Sequence, residues 1–373
     1  MPRRAVAFAA LLLTGCDLML PSHVEVSDVQ EAMARERYNV VCVGLDMRDD
    51  ATRTFATEQL EQVTEPISQE CICSHMADEL KDWDIAVAKG IKTTKRDDLA
   101  QCLVDLVKNP ALKKRVEAIQ VMRSMSAPVA RDALADIATD SKSDTESRMA
   151  ALKAIGGDKK YTDRLLQLAA DESDTTVRAQ AVTGLGGMKD KPVIAQLRKS
   201  VTEDAAGEVR GAALAALKTS GVSDATEMIC KAMMDDESAI VRAQAVGSFK
   251  GTKRTKALRC LRKRALALEE DASVREKILT VLKSSPKDEA ANILCDAIPF
   301  WARSYLVKGG TDKIPGTDII AAQNTRDFER SYECVQKAVR SSRGYSCYAR
   351  AYTSHWFREL GGTAHVPRCP GYE

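Results

Sequence analysis

The hexapeptide Val177-Arg178-Ala179-Gln180-Ala181-Val182 recurs as Val241-Arg242-Ala243-Gln244-Ala245-Val246, 64 residues later. Related segments surround four more arginines. The six, called the register arginines below, are Arg115, Arg148, Arg178, Arg210, Arg242 and Arg275. Their spacings are 33, 30, 32, 32 and 33 residues. A fixed period of this length indicates a repeat architecture.

Apolar or small residues stand three, four and seven positions after each register arginine. The seventh positions are Met122, Ile155, Leu185, Leu217, Phe249 and Leu282. Residues at this spacing share one face of an α-helix with 3.6 residues per turn. Each arginine therefore marks a helix with one buried face.

A second helix is predicted to follow in each repeat, over 161–170, 192–201, 225–234, 254–268 and 288–298. Acidic residues, with Ser or Thr, cluster before the Val-Arg pairs, as at 171–174, 235–238 and 269–271, and such residues are expected as helix N-caps. Older copies of the repeat are predicted at Arg53 and Asp84. A two-helix unit of about 32 residues buries its apolar face only against its neighbours, which predicts an all-α, right-handed α-solenoid.

The D-x(n)-V-R-x-x-A-h-x-x-L pattern of these units resembles the short HEAT-like repeats of phycobilisome-lyase-type proteins, well over 110–298 and loosely over 38–110. That resemblance implies the solenoid but no particular function. Some relatives attach bilins to light-harvesting proteins in the cytoplasm, and the export signal described below argues against that activity here. Other HEAT-like relatives are di-iron hydroxylases that use His-Glu dipeptides. None of His23, His75, His355 and His365 precedes a glutamate, which argues against that activity.

The N-terminus has the pattern of an export signal. Arg3 and Arg4 precede an apolar run, 5–13, which is shorter than the roughly 20 residues that span a bilayer. Leu13-Thr14-Gly15-Cys16 resembles the bacterial lipobox, which implies lipidation at Cys16. We expect a lipoprotein signal peptide at 1–15 and a tether at 16–37. The chain would then face the periplasm from the inner or outer membrane. An ordinary secretory peptide with a chance cysteine is the alternative.

Removing 1–15 takes away two arginines and no acidic residue, which leaves 53 basic and 53 acidic residues. A neutral chain lacks the basic excess that binding to a phosphate backbone requires. We therefore expect no nucleic-acid partner.

The remaining ten cysteines are an even number, which in an oxidising compartment favours disulfides. Considered pairings are Cys347 with Cys369, Cys260 with either Cys230 or Cys295, and Cys71 and Cys73 with Cys42 and Cys102; Cys334 has no assigned partner. Cys71, Cys73 and His75 could alternatively begin a zinc or redox site. No fourth ligand is evident nearby, so no metal or cofactor is predicted.

The register arginines allow two interpretations. They could form a ladder of cations for a ligand, or each could pair with the acidic turn of the adjoining repeat and set the stacking. We favour the pairing, because each arginine stands at the start of a helix and an acidic turn precedes most of these helices.

The chain after the repeats has a different composition. Residues 300–373 hold eleven of the seventeen aromatic residues. Pro299 is expected to end the last repeat helix. We divide the chain into divergent helical repeats at 38–110, HEAT-like repeats at 111–298 and a disulfide-bearing helical module at 299–373. This module is either a cap on the last repeat or a binding surface.

No catalytic motif occurs in the sequence, so we predict a non-enzymatic envelope scaffold that binds a protein or cell-wall partner. No small-molecule substrate is evident. Helix phase places the candidate contacts on the second helices and the C-terminal module: Arg164, Gln167, Gln196, Arg198, Lys231, Arg262, Arg350, Tyr352 and Trp356. The alternatives are the metal or redox site and a mechanical spacer within an envelope complex.

Overall fold

The computed structural model describes residues 20–76, 84–267, 271–285 and 287–306, and single positions at 333, 334, 336, 337, 354, 357, 358 and 363. All regular secondary structure in these ranges is helical. The chain divides into two compact units, Met1–Ile155 and Gly156–Glu373. No described helix is both long and apolar enough to cross a bilayer.

Unit 1 contains nine helices among its described residues. They are α1 Val26–Ala34, α2 Tyr38–Val43, α3 Asp50–Glu61, α4 Pro66–Met76, α5 Ile85–Gly90, α6 Asp97–Val107, α7 Arg115–Arg123, α8 Pro128–Thr139 and α9 Thr145–Ile155. A short 3₁₀ turn, Gly44–Asp46, joins α2 to α3. Alternate helices stack on one another: α3, α5, α7 and α9 form a first-helix layer, and α2, α4, α6 and α8 form a second-helix layer.

Unit 2 continues the pattern. Its helices are α10 Thr162–Asp171, α11 Thr175–Gly184, α12 Lys191–Glu203, α13 Gly207–Ser220, α14 Ala225–Asp235, α15 Ala239–Gly247, α16 Thr255–Ala265, α17 Ala272–Ser284 and α18 Lys287–Leu306. The first-helix layer is α11, α13, α15 and α17. In the second-helix layer α10 packs on α12, and α16 packs between α14 and α18. Each unit is thus an α-solenoid of HEAT-like helix pairs.

The predicted buried face is confirmed in every first helix that carries a register arginine. Side chains three, four and seven positions after the arginine are at most 6% exposed throughout: Ala118, Ile119, Met122, Ala151, Leu152, Ile155, Ala181, Val182, Leu185, Ala213, Leu214, Leu217, Ala245, Val246, Phe249, Ile278, Leu279 and Leu282. The third position is alanine in five of these six helices and isoleucine, Ile278, in the sixth. The core of each unit lies between its two layers.

The older repeat expected at Asp84 shows the predicted burial, since Val87, Ala88 and Ile91, three, four and seven positions after Asp84, are fully buried. Asp84 itself accepts hydrogen bonds from the amides of Ala86 and Val87 and caps α5. Asp174 caps α11 in the same way, four residues before Arg178.

Pro299 does not end the last repeat helix, since α18 runs from Lys287 to Leu306. A proline inside a helix removes one backbone hydrogen bond and costs about 3 kcal/mol. The helix buries Ala290, Leu294 and Ala297 and packs on α16 and α17. The burial of this apolar face offsets the free-energy cost of the proline.

Candidate functional site: the second-helix layer

Three of the register arginines, Arg115, Arg178 and Arg210, bind an acidic residue of the next repeat. In unit 2, Arg210 donates from Nε and Nη2 to both carboxylate oxygens of Asp236, at 2.9 and 2.8 Å. Arg178 holds Asp204 in the same bidentate way, at 2.9 and 3.1 Å. Burial raises the pKa of Asp236, but hydrogen bonds from Arg210 and from the amide of Ser238 hold that pKa below its usual 3.8.

Unit 1 shows the same arrangement. Arg53 lies 3.0 Å from Asp84, and Arg115 lies 3.4 Å from Asp144. The guanidinium groups also donate to carbonyls just before their own helix, as Arg178 does to Glu172 at 2.6 Å. The predicted pairing is confirmed at these arginines, so their charge is used inside the stack and is not a ladder for a ligand.

Cysteine pairs join neighbouring helices of the second-helix layer. Cys42 of α2 pairs with Cys71 of α4, with the Cα atoms 5.9 Å apart, and Cys73 of α4 pairs with Cys102 of α6 at 5.4 Å. Both pairs use the partners considered from sequence. Each spans 29 residues, close to one repeat, so cysteines at equivalent positions of successive second helices meet.

Unit 2 also has a disulfide between neighbouring second helices. Cys230 of α14 pairs with Cys260 of α16, at a Cα separation of 5.7 Å. Cys295 of α18 pairs with Cys334, which excludes the alternative of Cys260 with Cys295. The second-helix layer therefore carries covalent cross-links between neighbouring helices.

The proposed zinc or redox centre at Cys71, Cys73 and His75 is not formed. Both thiols belong to disulfides, and His75 donates from Nδ1 to the Cys71 carbonyl at 2.7 Å. The other ring nitrogen lies 3.3 Å from Asp46. Burial lowers the pKa of His75, but the Asp46 carboxylate and the Cys71 carbonyl raise it above its usual value. Among the described residues no cluster of three His, Cys, Asp or Glu side chains could hold a metal.

Three predicted contact residues are engaged within the second-helix layer. Arg198 of α12 pairs with Asp224 at 3.0 Å, and Arg262 of α16 pairs with Asp296 of α18 at 2.5 Å. Gln196 donates to the carbonyl of Ala169 in α10 at 3.2 Å. These side chains link adjacent repeats, although both arginines remain exposed.

Two further predicted contacts, Gln167 of α10 and Lys231 of α14, are exposed on second helices, and Arg164 is half-buried. The remaining predictions lie outside the residues whose side chains are described: Cys16, Cys347, Cys369, Arg350, Tyr352 and Trp356. The described part of the second-helix layer therefore offers Gln167 and Lys231 as contacts that no described interaction engages.

A pocket that motif searching did not find lies at the start of α16. Its volume is about 290 Å³, and exposed Lys218, Lys250 and Arg254 border it. Buried Ile229 and Phe249 also line it. The sequence signal that could have drawn attention here is the run of basic residues from Lys250 to Arg264, which contains no acid.

Comparison with known proteins supports the repeat assignment. A family model described as HEAT repeats matches residues 141–218. No curated protein matches the chain. Among solved structures, human deoxyhypusine hydroxylase in complex with glycerol is 15% identical over 80% of this chain and 98% of that chain, with a TM-score of 0.28. A likeness at this level says nothing about activity. Residues 141–218 therefore match HEAT repeats, and the fold of the described chain is all-α and HEAT-like.

Proposed function

We propose that the protein is a non-enzymatic, lipid-anchored scaffold of the bacterial cell envelope, facing the periplasm, and that its second-helix layer binds a protein or cell-wall partner. Within the HEAT-like class we assign its repeats to the short, phycobilisome-lyase-type form because of their period near 32 residues. HEAT repeats commonly mediate protein interactions, and repeat solenoids present extended binding surfaces.

The observation that carries the proposal is the cross-linked second-helix layer. Disulfides and ion pairs between neighbouring second helices limit the movement of one helix against the next. Gln167 and Lys231 are exposed on this layer. A rigid surface loses little conformational entropy on binding, which favours affinity. Disulfides also persist in oxidising compartments, in agreement with an exported protein.

Site-specific photo-cross-linking tests the binding surface. A photoreactive amino acid replaces Gln167 or Lys231 in cells, and Thr183 is the matched control because it is exposed on first helix α11. We expect one discrete adduct from each second-helix position and none from the control. An equal yield from Thr183, or no adduct from either test position, would overturn the proposed surface.

The anchor requires a separate experiment. Cys16→Ser should abolish labelling by radioactive palmitate and release the protein from membranes, whereas Ser22→Ala should change neither. Labelling that persists in Cys16→Ser would exclude this cysteine as the lipid acceptor.

A mechanical spacer is the second candidate, and the disulfide cross-links favour it. A spacer needs the length and stiffness of the stack but not its exposed side chains. Replacing Gln167 and Lys231 with glutamate should leave a spacer fully functional in cells and should impair a scaffold. This pair of substitutions separates the two candidates.

A further inference from the structure

The helix α16 and the turn before it are unusually basic for this chain. From Lys250 to Arg264 there are eight basic residues and no acidic residue, in a protein whose basic and acidic residues differ by only two overall. Such a local excess produces a positive potential that attracts anionic groups. What matters is how many of these cations are already neutralised within the fold.

Three of the eight are used internally. Lys256 pairs with Glu227 of α14 at 3.0 Å, Arg262 pairs with Asp296 of α18, and Arg264 is only 4% exposed. The other five are exposed and have no acidic partner within the described residues: Lys250, Lys253, Arg254, Arg259 and Lys263. We call these five residues the α16 cations. Their mutual repulsion would be relieved by an external anion.

The pocket at the start of α16 adds an apolar element to this surface. Lys250 and Arg254 border it together with Lys218, whose ammonium donates to the carbonyl of Ser248. Ile229 and Phe249 contribute apolar lining. Its volume of about 290 Å³ is many times the roughly 10–15 Å³ that a single water requires. One leucine or phenylalanine side chain would fit.

The strip of unpaired cations is narrow. Glu227 and Asp296 lie on the helices to either side of α16, so acidic groups flank it. An α-helix with its side chains is about 10–12 Å wide, and the 11 residues of α16 extend roughly 16 Å. An extended peptide of about five residues covers this length at roughly 3.3 Å per residue.

We propose that the α16 cations and the adjoining pocket bind an acidic segment of a partner protein, with one apolar side chain of that segment in the pocket. This inference rests on the proposed scaffold function and specifies the chemistry of the partner. Charge complementarity selects an anionic occupant. The recess selects a peptide over a membrane, because a flat layer of lipid headgroups contacts the cations but leaves the pocket empty.

Fluorescence anisotropy with the complete oxidised mature chain tests the proposal. The probe is a labelled seven-residue peptide of glutamate and aspartate with a central leucine. A second peptide carries glycine in place of the leucine. We expect saturable binding of the leucine peptide, at least tenfold weaker binding of the glycine peptide, and loss of affinity as salt is raised.

The test variant is Lys253→Glu with Arg259→Glu, which should weaken binding of the leucine peptide at least tenfold. The control is Lys189→Glu with Lys191→Glu, which makes the same change in net charge at exposed positions near α12 and should leave affinity within twofold. Circular dichroism checks that both variants fold. Equal weakening of binding in both variants would show that the effect depends only on net charge, and it would overturn the proposed site.

Competition experiments decide between classes of partner. Phosphatidylglycerol vesicles or a single-stranded oligonucleotide that displaces the leucine peptide at lower concentration than unlabelled peptide would overturn the proposal. Photo-cross-links from Gln167 and Lys231 that survive in Lys253→Glu/Arg259→Glu, together with no peptide binding, would refute this inference alone. Peptide binding without any photo-cross-link would refute the proposed second-helix surface instead.

Discussion

Arg210 in α13 and Asp236, in the turn after α14, form a bidentate ion pair in which both side chains are only 9% exposed. Asp236 also accepts a hydrogen bond from the amide of Ser238, just before α15. One carboxylate thus connects the arginine of one repeat to the first turn of the next. The pair links the stacking of α13 on α15 to the geometry of the turn between them.

Removing the arginine of this pair should destabilise unit 2 strongly. Arg210→Met leaves Asp236 buried without its partner, and breaking such a pair costs about 3–5 kcal/mol. Arg198→Met is the matched control, because Arg198 and Asp224 are 46% and 39% exposed and such pairs contribute about 0–1 kcal/mol. Urea unfolding followed by circular dichroism measures both. Similar losses in the two variants would contradict the structural role of the buried pair.

Acid should weaken the stacking of repeats. The pKa values of Asp204 and Asp236 are lowered in the folded protein, so both carboxylates stabilise it above the unfolded pKa of about 3.8. This contribution is lost as pH falls through the lower folded pKa values. We expect thermal stability to fall between about pH 5 and pH 2, and to fall less in Asp236→Asn, which starts from a lower value. An unchanged slope in that variant would exclude Asp236 as a source of the acid sensitivity.

The disulfide between α14 and α16 should contribute substantially to stability. Cys230 and Cys260 enclose a loop of 30 residues, for which the chain-entropy model predicts about 3–4 kcal/mol. The double variant Cys230→Ala/Cys260→Ala should lose about that amount without loss of helix content.

Mass spectrometry of a non-reduced digest should recover Cys42 with Cys71 and Cys73 with Cys102. Recovery of Cys42 with Cys73 would refute the assigned pairs.

Two glycines at the ends of first helices should respond oppositely to alanine. A β-carbon on Gly90 would lie 2.3 Å from the β-carbon of Thr57 and 2.9 Å from the backbone oxygen of Thr54. Gly90→Ala should therefore destabilise unit 1 by about 1–3 kcal/mol. Gly247→Ala meets only the flexible side chain of Lys277, at 3.5 Å, and should be neutral or stabilising by up to about 1 kcal/mol. Thermal melts test both variants, and a stabilised Gly90→Ala would contradict the close approach of α5 to α3.

The period and the buried faces could be predicted from sequence because they are local properties. Apolar residues three, four and seven positions after Arg178 lie on one helix face whatever the helix packs against. Asp174 and Asp271, each four residues before a register arginine, cap their helices through bonds to amides two and three residues away. Pro299 was misjudged because local helix propensity does not include the packing of α18 on its neighbours.

Contacts between repeats depend on how far each helix pair is displaced along its neighbour, and no local pattern contains that displacement. Cys71 and Cys73 are two residues apart, yet they cross-link to helices on opposite sides of α4. Arg198 and Lys231 both lie on predicted second helices, but stacking brings an aspartate to Arg198 and leaves Lys231 exposed. The chain's periodicity thus defines which residues are buried. The packing of one repeat on the next defines which charged side chains form ion pairs and which cysteines form disulfides. It also defines which side chains stay exposed and available to a partner.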